Sequence, residues 1–315
     1  MGSEELYLNN SICAVSAKAR TISTEATSTN KQHYSCFTKQ ELISIINALN
    51  KYIIKKSLCK KELDICIEKS KGDKDLITLS NNDTLKELWY KIYDVLNPIC
   101  KEEECWINLK YIDEISNKNL RDKLRYYTFK PKFYYRKGNW LTTLDINVLM
   151  RQVNYIYKDL YYLGAQPCDF YIIDKDVLND KKMYNSKQVG IIFNLDTHNK
   201  SGSHWTSLFI NNNDRTIYYF DSFGKNPNKY IIKFIKKYIE NFRENYNLKQ
   251  ISLQDIFTIY INKKIHQKGN SECGIYAIYF LLKKLKYYNN PINDKVITDK
   301  QMKELRNYLF TKSTT

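Results

Sequence analysis

Proline and glycine are scarce in this chain of 315 residues, with 5 and 9 copies. Long disordered linkers are rich in such residues, so they are not expected here. No two of the 8 cysteines are spaced C-x-x-C. A chain of this length can bury a core without covalent staples. The expectation is therefore reduced thiols in an intracellular compartment, not a disulfide scaffold. A zinc site could draw on Cys100 and Cys105 with His33 or Cys59. That spacing does not suit a zinc knuckle, and no metal site is assigned. The N-terminal stretch has no apolar segment of signal-peptide type. Leu6 stands where a myristoylation motif wants Ser or Thr. No apolar run reaches the ~18 residues that would suggest a membrane span. The protein is expected to be neither secreted nor membrane-bound.

Positive charge is what the chain has in excess. Lys+Arg number 50 against 34 Asp+Glu, a formal net charge of +16. Such a balance suits an acidic partner, either nucleic acid or an acidic protein. Lys, Asn, Ile and Tyr are abundant together, however, and all have A/T-rich codons. Genome composition is thus a second source of the same excess. At 43% hydrophobic, the chain can bury one sizeable core, or a catalytic domain plus a smaller helical one.

Residues 1–34 are polar and read as a tail. A helix is announced by "CFTKQELISIINALNKY". Thr38 is an N-cap, Glu41 completes a capping box, and Phe37 can staple onto Leu42. Leu42, Ile45, Ile46, Leu49 and Ile53 form its apolar stripe. A second helix follows at "DTLKELWYKIYDVL", with Leu85, Leu88, Trp89, Ile92 and Leu96 on one face. Residues 35–110 therefore read as a small helical domain, and 111–137 as a connecting arm. Beyond lies a domain over 138–315. Its first helix starts near Leu144, with Ile146, Leu149, Met150, Val153 and Leu160 at helical spacing.

Strands are then expected at Val189–Asp196, His204–Asn212 and Arg215–Ser222, the last two joined as a hairpin by "NNND". The stretch "KYIIKFIKKYIENF" is an amphipathic helix with Ile231, Phe234, Ile235, Tyr238 and Phe242 inward. A strand at Ile256–Ile261 and a helix at Cys273 complete the order, which is that of an α+β fold.

Within this order, "HQKGNSECGIYAIYFLL" stands out, because a polar loop precedes a lone cysteine that opens an apolar helix. A helix N-terminus lowers a thiol pKa, and a nearby imidazolium lowers it further. His204 begins a strand, and Asp221 lies 17 residues on, at the far end of the paired strand. A carboxylate there could hold the imidazole in one tautomer. Gln267 and the backbone N–H of Cys273 could both donate to an oxyanion. Gly269, Asn270 and Gly274 allow close approach of a substrate. Taken singly, each residue has a plainer role: an inert core cysteine, a structural histidine, an aspartate capping a turn.

Together, "GSHWTSLFI", "IYYFDSFG" and "QKGNSECGIYAIYFLL" resemble the Ulp1/adenain-type cysteine peptidases. That family has a His-Trp pair, an Asp or Asn about 17 residues later, and Gln-x5-Cys-Gly. These positions are His204-Trp205, Asp221, and Gln267 with Cys273-Gly274. Papain-like enzymes use the same groups in the opposite chain order. The phrasing of "FNLDTHNKSGSHWTSLFIN" is similar to the maturation proteases of large DNA viruses, African swine fever virus among them. Asp221 stands where that viral enzyme has Asn, which brings the site nearer the Ulp1 version.

The resemblance covers roughly residues 138–312. It implies a mixed sheet packed against helices, with Cys273, His204, Asp221 and Gln267 catalytic. It also implies that Trp205 and Trp140 flank a narrow tunnel that only glycines thread, with Asn270 and Gly274 beside it. The implied activity is cleavage after Gly-Gly without a metal or organic cofactor. The substrates would be viral structural precursors in the host cytoplasm and virion, or ubiquitin-like modifiers in the deconjugating branch. A rival reading is a basic nucleic-acid-binding virion protein with a vestigial site. Between Phe223 and Lys264 stand 9 basic residues and 3 acidic ones, among them Lys229, Lys233, Lys236 and Lys237. The two ideas combine if DNA activates the protease.

Overall fold

The computed structural model describes residues 37–58, 76–99, 103–128, 131–134, 140–286 and 295–313. The chain divides into two compact units, one ending at Lys130 and one starting at Pro131.

The first unit is helical. Helix α1, Lys39–Leu58, begins with the expected capping box. The Thr38 N–H donates to Glu41 Oε2 at 2.8 Å, and the Glu41 N–H to Thr38 Oγ1 at 3.2 Å. Helix α2, Leu85–Leu96, is capped in the same way by Thr84 and Glu87 and buries Leu88, Trp89, Ile92 and Leu96. Phe37 is buried and stacks on Trp89 at 6.2 Å, and Trp106 packs against the same indole at 6.0 Å. The connecting arm expected from residue 111 is corrected in part. Tyr111, Ile112, Ile115, Leu120 and Leu124 are buried in this helical core. Charged residues alternate with these anchors, and that masked them in the sequence.

The second unit is built on a five-stranded mixed sheet of order β2-β3-β4-β5-β6. Its strands are β2 Leu160–Pro167, β3 Gln188–Asn194, β4 Trp205–Asn211, β5 Thr216–Phe220 and β6 Thr258–Ile261. The central pairs β3–β4 and β4–β5 are antiparallel, and the outer pairs β2–β3 and β5–β6 are parallel. A separate parallel pair joins β1, Lys132–Tyr134, to β7, Thr311–Ser313. The fold is α+β with a mixed sheet packed against helices, as the residue pattern and the resemblance imply.

Side chains of the middle strands alternate between two cores. Ile192, Trp205, Phe209, Tyr218 and Phe220 face one. Val189, Ile191, Leu208, Ile210, Ile217 and Tyr219 face the other. This is the period-2 pleat of a strand with both faces buried. Helices α3, Thr143–Ile156, α5, Cys273–Lys286, and α6, Asp299–Leu309, contribute to the first core. Helix α4, Lys229–Asn245, covers the other face with Ile231, Phe234, Ile235, Tyr238, Ile239 and Phe242. Leu160, expected on α3, instead opens β2. Ile256, expected in a strand, ends a short helix just before β6.

Among the described cysteines Cys168 and Cys273 are free, whereas Cys105 is disulfide-bonded, which corrects the all-reduced expectation. Among the described residues no group of three or more His, Cys, Asp and Glu is placed to hold a metal. Cys100, Cys59 and His33 lie outside them. No described helix is long and apolar enough to cross a membrane.

Phe234 is fully buried and meets the rings of Phe170, Tyr171, Phe193 and Tyr238. Phe234→Ala should therefore lower the unfolding free energy by about 3–5 kcal/mol in urea denaturation. A loss under ~1 kcal/mol would contradict this packing.

Candidate active site

Four sequence segments meet at the ends of β4 and β5 and the start of α5. Residues Ser207 and Phe220 are paired across the β4–β5 ladder. Continued outward, that register sets His204 opposite Phe223 and one diagonal step from Asp221. The His204 and Phe223 rings stack at 4.8 Å with planes 26° apart. His204 Nε2 lies 2.8 Å from Asp221 Oδ1. The strand ends thus fix both side chains.

Asp221 is fully buried. Its Oδ1 also accepts from the Phe223 N–H at 2.8 Å. Its carbonyl accepts from Asn262 Nδ2 at 2.8 Å and from the Gly224 N–H at 2.9 Å. Burial opposes a charge on His204. The hydrogen bonds to Asp221 and to Cys273, with the negative charge of both, outweigh it and raise the His204 pKa to about 9. Nε2 is committed to Asp221, so Nδ1 is the nitrogen left to face the thiol.

Cys273 is the first residue of α5 and is 2% exposed. Its position adds the partial positive charge of a helix N-terminus to the influence of His204. The next residue, Gly274, permits a close approach. A Cβ there would stand 3.1 Å from Leu141 Cβ and 3.3 Å from Trp205 Cδ1. Trp205 is buried, and its Nε1 donates to the Leu141 carbonyl at 2.9 Å. The indole is therefore a fixed wall, with no N–H left for a ligand. Trp140, beside Leu141 in the chain, is 39% exposed. Asn270 is exposed on the loop before the cysteine.

Gln267 is buried, and both ends of its amide are held. Oε1 accepts from the Ser222 hydroxyl at 2.7 Å, and Nε2 donates to the Gly269 carbonyl at 2.9 Å. An amide nitrogen carries two hydrogens, so the second N–H is free of that bond. The Gln267 and His266 N–H groups both donate to the Ser222 carbonyl, at 3.0 and 2.8 Å. The loop is thereby stitched to the residue after Asp221.

Sequence reasoning did not single out Phe223, Ser222, His266, Tyr276, Asp299 or Arg306. The signal for Asp299 was present in "TDKQ", a capping box that announces α6, and the structure shows that box at Thr298 and Gln301.

The sheet, the helix-borne thiol and the imidazole–carboxylate pair define a cysteine peptidase geometry. Residues 109–315 match the Ulp1 protease family, C-terminal catalytic domain. The chain belongs to this family and is a Ulp1-like cysteine protease, an enzyme that acts on protein substrates. A protein of Acanthamoeba polyphaga mimivirus named as a thiol protease is 30% identical over 265 residues, spanning 81% of this chain and 82% of the relative. Two crystal structures of the protease from African swine fever virus (ASFV) share the fold. One has a TM-score of 0.51 at 20% identity, covering 70% of this chain and 89% of the other. The second has a TM-score of 0.50 at 19% identity, covering 91% and 94%.

His266 yields a pH prediction. It is 2% exposed, and its Nδ1 accepts from the Ile297 N–H at 3.1 Å. Burial, with Lys264 and Lys283 nearby, pushes its pKa down to about 4. The unfolded chain binds this proton near 6.5. Stability should therefore fall as pH is lowered from about 6.5 to about 4. Urea unfolding at pH 7 and pH 5 should show a smaller drop in His266→Asn than in the wild type. Identical drops would contradict the buried neutral imidazole.

Proposed function

We propose that this protease cuts polypeptides after a Gly-Gly pair and matures structural precursors of a large DNA virus. The observation that carries the chemistry is the buried Asp221–His204 pair set against Cys273 at a helix start. In this reading Cys273 is the nucleophile, His204 the base and acid, and Asp221 the group that orients and charges the imidazole. The thiolate attacks the carbonyl carbon of the second glycine. Gln267 Nε2 and the Cys273 N–H donate to the oxyanion. His204 then protonates the leaving amine as the C–N bond breaks. Water, deprotonated by the neutral imidazole, hydrolyses the thioester and returns the thiol. No metal or organic cofactor enters the cycle.

Support for glycine specificity comes from the wall beside the nucleophile. Trp205 is held by Leu141 and packs against Gly274, so a substrate reaching Cys273 would meet a fixed aromatic wall, which favours residues without side chains. Trp140 and Asn270 would line the approach. The viral role, in host cytoplasm and virion, rests on the mimivirus relative and the family resemblance. Lys229, Lys233, Lys236 and Lys237 are exposed on α4, and DNA held there would act as an activator.

The test is cleavage of a Gly-Gly-x peptide followed by mass spectrometry. Wild type should cut after the second glycine, and Cys273→Ala should not cut. Gln267→Ala should lose about 10²–10³-fold in kcat, the usual cost of one oxyanion donor. Cutting only of folded ubiquitin-like conjugates would replace the maturation reading with deconjugation. Cutting of neither, with DNA present, would reject both.

A further inference from the structure

Helix α6 holds the loop between Gln267 and Cys273 at two points. At its first turn, Asp299 Oδ2 accepts from the Gly269 N–H at 2.8 Å and the Lys268 N–H at 3.1 Å. Asp299 Oδ1 accepts from the Tyr276 hydroxyl at 3.0 Å, and that hydroxyl also reaches the Ile297 carbonyl at 2.9 Å. Tyr276 is fully buried on α5. Seven residues after Asp299, on the same face of α6, Arg306 donates to the Ser271 carbonyl at 2.7 Å. It also lies 2.8 Å from Glu272, the residue before the nucleophile.

The consequence runs through one residue, Gly269, which is held on both its N–H and its carbonyl. The Gly269 N–H is fixed by Asp299, and the Gly269 carbonyl accepts the Gln267 side chain at 2.9 Å. One hydrogen of the Gln267 amide is thus aimed by a glycine that Asp299 pins. The direction of the other hydrogen follows from the planarity of the amide. Among the described residues, the bonds to Ser222 and Gly269 are the two hydrogen bonds that hold this amide.

We propose that Asp299 is a positioning residue for the oxyanion pocket: its carboxylate anchors Gly269, and through Gly269 it sets the free N–H of Gln267. The inference rests on the oxyanion role given to Gln267 above. Asp299 itself touches neither substrate nor the reacting sulfur. Its removal should lower kcat, because an oxyanion donor matters most in the transition state. It should leave the Cys273–His204 pair intact.

The experiment measures kcat and KM on a Gly-Gly peptide with a fluorogenic aminocoumarin leaving group. It uses full-length wild type, Asp299→Ala, Gln267→Ala and the double variant. Alkylation of Cys273 by iodoacetamide is measured alongside, since that reaction builds no oxyanion. Asp299→Ala should lower kcat about tenfold or more with KM nearly unchanged, less than the ~10²–10³-fold loss of Gln267→Ala. The double variant should be no slower than Gln267→Ala alone, because both changes remove the same donor. Alkylation in Asp299→Ala should stay within about twofold of wild type, since neither Cys273 nor His204 loses a partner. Asp299→Asn should recover most of kcat. Its oxygen can accept from the loop while its amide donates to the Tyr276 oxygen, and the single Tyr276 hydrogen can turn to the Ile297 carbonyl 2.9 Å away.

If Asp299→Ala does not fold, Asp299→Ser makes the same comparison, since its hydroxyl is too short to reach the loop. Wild-type kcat in Asp299→Ala beside an impaired Gln267→Ala would overturn the proposal alone. So would additive losses, a change confined to KM, or an equal fall in alkylation. Wild-type kcat in Gln267→Ala would remove the oxyanion reading, and the proposal with it.

Discussion

The hydrogen bond from His204 to Asp221 sets the terms for the rest of the site. Partial burial alone would favour the neutral form of this imidazole, since burial disfavours the charged form. Asp221, itself fully buried, reverses that preference. A buried carboxylate is costly unless it is paired and hydrogen-bonded. The Phe223 N–H and His204 meet that need on Oδ1, while Asn262 and Gly224 hold the backbone carbonyl. The raised pKa also ties the site to stability. The contribution of His204⁺ is complete below about 6.5 and is lost as pH rises through about 9.

The sheet provides the geometry for this pair, and two helices complete it. Strands β4 and β5 end together, so the residues just past the ladder are neighbours without any long loop. Helix α5 is buried over most of its length, from Cys273 to Leu282, which anchors the nucleophile in the core. Gly274 lets that helix start against Trp205 and Leu141. Helix α6 lies beyond the reacting groups, yet it grips the loop at Lys268, Gly269 and Ser271. The site is rigid because backbone groups as well as side chains are tied down.

Much of this was legible in the residues. The β4–β5 hairpin showed itself by strand composition and a polar turn. Helix α4 showed itself by a stripe at helical spacing. Cys273, His204, Asp221 and Gln267 were marked by order and spacing, and the structure sets Cys273 and Asp221 on His204 and Gln267 on the residue after Asp221. Strand β2 was not legible. Gly164 takes a φ of +97° and the register with β3 shifts between Tyr162 and Ala165, so its alternation is broken. Leu160 then fell in step with the preceding helix by coincidence. Helix α6 was missed despite its capping box, because its apolar stripe of Met302, Leu305 and Leu309, though at helical spacing, is thin among polar residues. The anchors at 111–124 were hidden among charges. The Asp299 contacts join residues 30 and 31 positions apart, a separation that no local pattern reveals.

The most direct test of this account is an NMR titration of the His204 ring in the intact protein, with its ¹³Cε1 shift followed from pH 5 to pH 10.5. The imidazolium should persist through neutrality and lose its proton near pH 9. Titration at about 6.5 or below would mean that burial wins over Asp221 and Cys273, and the charged pair at the centre of the site would not exist.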